Sequence, residues 1–250
     1  MSILSHNAES GSFPPPYTVQ VSARAKHARL KMTPHDGLIV VLPQGFSKKQ
    51  VPALLQRHEL WIRKTAAQLD AHRQESVPEM ENGLPGIVLF PHFSEEWRVE
   101  YRQTMTGEVG IKEISACSLL VSGDVANTAL CRKLLFSWLK HRAKQLLLPL
   151  FEQLAVARDF KYGEAKVRLQ HSRWGSCSSS GVITLNSKLL FLPEYLIRHI
   201  MIHELCHTVH PNHSRAFWAL VQHHDPLWRS HKGEMKSAWK YIPAWISGKG

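Results

Sequence analysis

His203, Glu204 and His207 form an HExxH set within His203-Glu204-Leu205-Cys206-His207. On a helix, a separation of four puts both imidazoles on one face, about 6 Å apart along the axis. A zinc ion at about 2.0–2.1 Å from each ring nitrogen bridges such a pair. Glu204 stands about 100° around the helix from His203, so it stays off the ion yet reaches a water held there. The chemistry needs these three residue types. Neutral imidazoles leave the ion's charge largely intact, and that charge acidifies the water towards a pKa of about 7. A carboxylate beside the water takes its proton during attack on a carbonyl and hands it to the leaving amine.

An isolated HExxH is a common chance match, so its surroundings matter. Ile200, Met201, Ile202 and Leu205 make the segment strongly apolar around the polar trio. The bland alternative is a histidine-rich helix without metal. Ionisable groups on buried faces usually have a partner or a function, which weighs against it. Eight of the chain's sixteen histidines fall between His199 and His231, and that enrichment singles out the C-terminal third.

Catalytic zinc usually keeps three protein ligands and an open position. His210 and His213 are the nearby candidates for the third. His210 continues the same face but lies about 10.5 Å along an ideal helix from His203, and three rings on one straight helix converge poorly. Pro211-Asn212 lets the chain turn back. His213 is therefore the favoured ligand, with His210 left to solvent or to a supporting role. His199, one turn before His203, is either a support for the site or a plain surface or core histidine. Cys206 points away from the two histidines and reads as a buried thiol.

At this point a family resemblance enters. The run His203-Glu204-Leu205-Cys206-His207-Thr208-Val209-His210-Pro211-Asn212-His213-Ser214-Arg215-Ala216-Phe217-Trp218 resembles the signature of the YgjP-like metallopeptidases. Upstream, Ser172-Arg173-Trp174-Gly175-Ser176-Cys177-Ser178 and Ile183-Thr184-Leu185-Asn186 resemble that family's second block, and SprT-like proteins share a similar RWGSC segment. The likeness is strong over about 130–225 and looser over 17–72. It implies zinc on His203, His207 and His213 with Glu204 as general base. The histidine spacing is also similar to that of the metzincins, but His210 stands where those have glycine, and no convincing methionine turn follows, although Met235 exists.

The RWGSC block invites its own reading. Trp174 and Gly175 are expected to shape a tight turn beside the metal helix. The strand ending in Asn186 is a candidate edge to which an extended peptide adds through main-chain hydrogen bonds. Arg173 is a candidate stabiliser of a carbonyl oxyanion. Arg173, Trp174 and Asn186 are thus the candidate substrate contacts; the alternative is that Arg173 and Trp174 only brace the metal helix.

These residues need elements to hold them. Residues 1–16 read as a flexible leader ending in Phe13-Pro14-Pro15-Pro16. Residues 17–75 carry strands at Tyr17–Val21, Ala28–Met32 and Gly37–Pro43, with a turn at Pro34-His35-Asp36-Gly37. A helix follows from an N-cap at Ser47 to about His72, with Trp61 in its apolar stripe. Residues 76–95 are rich in proline and glycine and read as a loop-rich connection. Trp97–Tyr101, Gly107–Lys112 and Cys117–Ser122 extend it into a small antiparallel sheet, so that 76–125 forms one segment. The catalytic part, 126–250, opens with a helix from Asn127 to about Arg158, kinked near Pro149. Strands at 165–169 and 182–186 follow, then the metal helix from about Pro193 to His210, ended by Pro211, and a further helix from about Ser214. The fold class is α+β: a zincin-like metallopeptidase domain with a small antiparallel sheet and an HExxH helix, plus an N-terminal strand-and-helix unit.

Composition bounds the rest. The chain has 250 residues and is 44% hydrophobic, enough for a real core. No run reaches the roughly 18–20 apolar residues of a membrane span, and the N-terminus lacks a secretory pattern, which points to the cytoplasm. The four cysteines, without CxxC spacing, read as reduced thiols. A net charge of +11 suits an acidic partner, nucleic acid foremost, although spread basic residues more often only solubilise. Three readings follow: an active zinc peptidase acting on peptides or proteins, a nucleic-acid-associated protein that processes DNA-bound proteins, and an inactive metal-bound scaffold. The intact Glu204 disfavours the last.

Overall fold

The structure is a computed structural model and describes residues 13–33, 37–75, 82–105 and 107–246. Most of the expected leader and most of the turn at 34–37 lie outside the described residues. The chain divides into two compact units, 1–76 and 77–250.

The first unit is a three-stranded sheet with helices over one face. Its strands are β1 (Tyr17–Ser22), β2 (Arg29–Thr33) and β3 (Gly37–Pro43), in the order β1-β3-β2. β3 runs parallel to β1 and antiparallel to β2. Alternate residues Leu38, Val40 and Leu42 of β3 are buried with Val51, Leu55 and Ile62 from α1 (Val51–Arg57) and α2 (Glu59–Glu75). The single helix expected from Ser47 is instead a 3-10 turn at Lys48–Gln50 and two α-helices, separated at His58, whose backbone leaves the helical region. Trp61 is 42% exposed rather than core. Ile62 of α2 is buried, and Trp61, one position before it, lies about 100° around the helix.

The second unit opens with a four-stranded sheet: β4 (Ile87–Phe90), β5 (Glu95–Gln103), β6 (Gly110–Ser115) and β7 (Ser118–Gly123), in the order β4-β5-β7-β6. β4 occupies part of the segment expected to be loop. The sheet is mixed rather than antiparallel, because β5 and β7 run parallel. It shares one core with the helix that follows, α3 (Thr128–Ala157). Trp138 of α3 meets Phe90 and Trp97 at ring-centroid distances of 6.0 and 5.1 Å. Both indoles find acceptors, Trp97 on Glu95 and Trp138 on Glu113. Arg142 of α3 pairs with Glu95.

Asn127 caps α3 by accepting the Leu130 N–H. Pro149 lies inside this helix, a defect of about 3 kcal/mol in an ordinary helix. The fully buried Leu147 and Phe151 beside it contribute about 1.5–3 kcal/mol each, enough to offset that defect. The second half of α3 packs against β8 (Glu164–Arg168). β8, β9 (Gly175–Cys177) and β10 (Val182–Asn186) form a second sheet in the order β8-β10-β9. β10 is thus central, parallel to β8 and antiparallel to β9. The remaining helices are α4 (Glu194–Val209), α5 (Arg215–His224) and α6 (Trp228–Glu234). α4 packs on β9, β10, α3, α5 and α6. Among the described residues no helix is long and apolar enough to cross a membrane.

Candidate active site

α4 is apolar on most of its circumference, with Leu196, Ile197, Ile200, Met201, Ile202 and Leu205 all buried. A helix of that kind is set in the interior of a domain. Pro193 begins it, and the chain leaves helical geometry at His210, just before Pro211. It then turns back through residues 211–213 into α5, where the Ser214 side chain accepts the Phe217 N–H. That cap fixes the backbone immediately after His213.

The turn brings three imidazoles together. Rings of His203 and His207 lie 4.9 Å apart, those of His203 and His213 5.0 Å, and those of His207 and His213 4.7 Å. Their ligand atoms all lie within 4.8 Å of one another. The Nε2 atoms of His203 and His213 are 3.1 Å apart. Two nitrogens on one tetrahedral zinc are separated by about 3.3 Å, given Zn–N bonds of about 2.0–2.1 Å, so the donor set fits a single ion. His207 Nδ1 lies 3.1 Å from the His210 carbonyl oxygen. A carbonyl only accepts, so Nδ1 carries the proton and Nε2 presents its lone pair. His210 therefore contributes its backbone, and its ring is not in the cluster.

Phe217, in the sequence only one residue of a longer motif, underlies all three rings. It is fully buried, stacks on His207 at 4.4 Å, and meets His203 and His213 edge-on at 5.0 and 4.8 Å. Trp218 stacks on His213 at 5.4 Å and on Trp228 at 4.4 Å. Burial, reinforced by the neighbouring imidazoles, pushes His203 down to about 3 and lowers His213 as well. Both rings are thereby kept neutral, the form that binds metal.

Glu204 is only 5% exposed. Burial raises its carboxyl to about 8, against the opposing pull of the Arg173 guanidinium. The side chain lies against the backbone of β9: a Cβ built on Gly175 would come 2.6 Å from Oε1 and 2.7 Å from Cγ of Glu204. The glycine of the RWGSC block is therefore a strand residue that makes room for a carboxylate, not the turn glycine that was expected. Cys177, two residues on, has its thiol raised by burial and by the Glu204 charge. Cys206 is fully buried and pushed up to about 12, in keeping with an inert thiol.

The candidate substrate contacts separate on inspection. Arg173 is exposed and close enough to act on Glu204. Trp174 is half-buried and stacked on Trp239 at 4.4 Å, which makes it a packing residue. Asn186 is fully buried. Its amide donates to the Gln170 and Arg173 carbonyls at 2.9 and 2.7 Å, and its oxygen accepts the Lys188 N–H. With its polar atoms spent inside the chain, Asn186 cannot contact a substrate; it holds the 170–174 segment in place. The edge strand is also not the expected one. β10 is flanked on both sides, and β8 and β9 are the outer strands, β9 being the one against α4.

A second cluster lies one turn back along α4. His199 Nδ1 is 2.7 Å from Asp225 Oδ2, and His231 Nδ1 lies 3.0 Å from the same carboxylate. No sequence spacing announces this group, because Asp225 and His231 come from the end of α5 and from α6.

A histidine centre on a buried helix, backed by a small sheet in an α+β unit, is the arrangement of a zincin-like metallopeptidase. The family model of the YgjP-like, metallopeptidase domain matches residues 26–238, and the chain belongs to that family. No curated protein matches the chain. It is similar to one solved structure, the metallopeptidase zymogen of Pyrococcus abyssi abylysin. The identity is 23%, over 37% of this chain and 93% of that one, with a TM-score of 0.34, too loose a likeness to build on.

Proposed function

We propose that the protein is a zinc-dependent peptidase in which His203, His207 and His213 hold the ion and Glu204 is the general base. One observation carries this reading: three imidazoles converge beside a carboxylate that is buried against an edge strand. Zinc held there would supply a Lewis acid that acidifies water and polarises a carbonyl. Glu204 takes a proton from the attacking water and returns it to the nitrogen of the leaving amine. Its raised pKa suits the second task, since a carboxyl near 8 holds a proton at neutral pH, and a cation nearby favours the ionised form needed for the first.

β9 offers the substrate its outer edge. An extended peptide adding to Gly175–Cys177 would lie along α4 with its backbone hydrogen-bonded and its side chains free to vary. Arg173, exposed beside Glu204, is placed to receive the carbonyl oxyanion. The substrates are therefore peptides or unfolded protein segments. The +11 charge favours a second reading, in which those substrates are nucleic-acid-bound proteins. Its test is binding to DNA that weakens steeply with salt; no binding at low salt removes it. For the first reading, the zinc-loaded protein should cleave members of a peptide library. Glu204→Gln should keep the metal and lose the cleavage, and a variant that cleaves as fast as the native chain refutes the assignment.

A further inference from the structure

We propose that His199, Asp225 and His231 form a second metal site, for a divalent ion of zinc's class, that ties α4, α5 and α6 together. The inference does not depend on the peptidase reading.

Three observations support it. The first is convergence: one ligand atom from each residue lies within 4.8 Å of the others, with the two imidazoles 2.7 and 3.0 Å from the carboxylate. Two imidazoles and one carboxylate are a common donor set for first-row divalent ions. Contacts of about 3 Å between donors are also what a single ion at about 2 Å from each would require.

The second is charge. Asp225 is 6% exposed and His199 is 3% exposed. A buried carboxylate is costly without a compensating cation. Among the described residues, no lysine or arginine pairs with Asp225; its ion-pair partners are the two histidines. The nearest ammonium in sequence, Lys232, lies over the Trp218 ring at 4.0 Å instead. Asp225 also caps the C-terminal end of α5, where the helix dipole disfavours a negative charge. Burial of the carboxylate and the helix dipole both favour a positive charge between these three side chains, and the Lys232 ammonium reaches His199 only through space.

The third is topology. His199 sits in α4, Asp225 ends α5, and His231 sits in α6. α5 begins two residues after His213, so an ion at its far end would steady the helix whose start presents the third ligand of the active site. The two clusters share α4, and the rings of His199 and His203 are 6.4 Å apart.

The test counts ions on the full chain. Protein stripped with chelator, reloaded with zinc and dialysed should retain two equivalents, measured by elemental analysis. The double variant His207→Ala/His213→Ala removes the open site and should retain one. Adding Asp225→Asn to that double variant should remove the last equivalent, together with the rise in unfolding temperature that zinc produces in the double variant. If the native chain retains only one equivalent, and the double variant none, the three side chains only hydrogen-bond to one another and the second site does not exist. That outcome leaves the three-histidine site untouched. Should the Asp225→Asn combination fail to fold, the counts on the native chain and the double variant still decide.

Discussion

The two histidine clusters of α4 are one helical turn apart and built from similar residues, yet they are arranged for opposite ends. In the cluster of His203, His207 and His213, the ring set contains no carboxylate, one imidazole is exposed, and the acidic residue Glu204 stands aside against β9. In the cluster of His199, Asp225 and His231, the carboxylate is at the centre and buried, within hydrogen-bonding distance of both rings. Three imidazole ligands would leave the charge of a divalent ion whole. A carboxylate among the ligands would halve it, and burial of Asp225 and His199 limits the access of water. The two clusters thus differ in the charge a bound ion would keep and in how open it would lie to solvent.

That contrast can be broken most directly at Glu204. Glu204→Gln should lower peptide hydrolysis by about 10²–10⁴-fold, the usual worth of a general acid–base, with zinc content unchanged by elemental analysis. Hydrolysis at the native rate would mean that the carboxylate beside the rings does no chemistry.

The next largest effect concerns the third ligand. His213→Ala should weaken zinc binding by more than about 100-fold in a competition titration, since even residues that only orient a ligand are worth about 10–100-fold. His210→Ala should stay within about tenfold, because His210 acts through a carbonyl that alanine retains. The reverse ranking would move the site.

Gly175→Ala tests the separation of base from metal. A methyl group there would push Glu204 off β9, and misplacement by about 1 Å costs about 10²-fold. Hydrolysis should fall while zinc affinity holds. A fall in both would mean that β9 positions the rings as well as the carboxylate.

The smallest effect is the pH dependence of stability. Folding raises the Glu204 carboxyl to about 8, above an ordinary value of about 4.3, so the metal-free fold favours the protonated acid. Its stabilising contribution is complete below about pH 4 and is lost as pH rises through about 8. In chelator, the native chain should lose a few degrees of melting temperature relative to Glu204→Gln between about pH 5 and pH 8. His203 shifts the other way: its depressed pKa costs stability as pH falls from about 6.5. Both proteins share that effect, so the difference between them isolates Glu204. A flat difference would mean that Glu204 is solvated.

Local sequence carried much of this. Spacing of four put His203 and His207 on one face, Pro211 ended their helix, and Asn127 and Ser214 were read correctly as the starts of α3 and α5. What failed were inferences about neighbours distant in the chain. Asn186 read as a substrate contact because its strand looked like an edge, but strand order depends on which partners close on it, and β9 took the outer position. Trp61 read as core because one helix was expected from Ser47 to about His72 with Trp61 in its apolar stripe, yet the chain breaks at His58 and in α2 it is the neighbouring Ile62 that turns inward.

By itself, then, the sequence determined the pieces whose meaning is periodic or covalent: a metal-binding helix face, its proline stop, and a charge and composition suited to a folded α+β chain. Only the tertiary structure decided what each piece meets. Gly175 matters because Glu204 packs on it, Phe217 because three rings rest on it, and Asp225 because two histidines from other helices turn towards it. Such contacts reach as far as nearly 30 positions along the chain, and no spacing rule encodes them, because they are set by how helices and strands pack rather than by the repeat within any one of them.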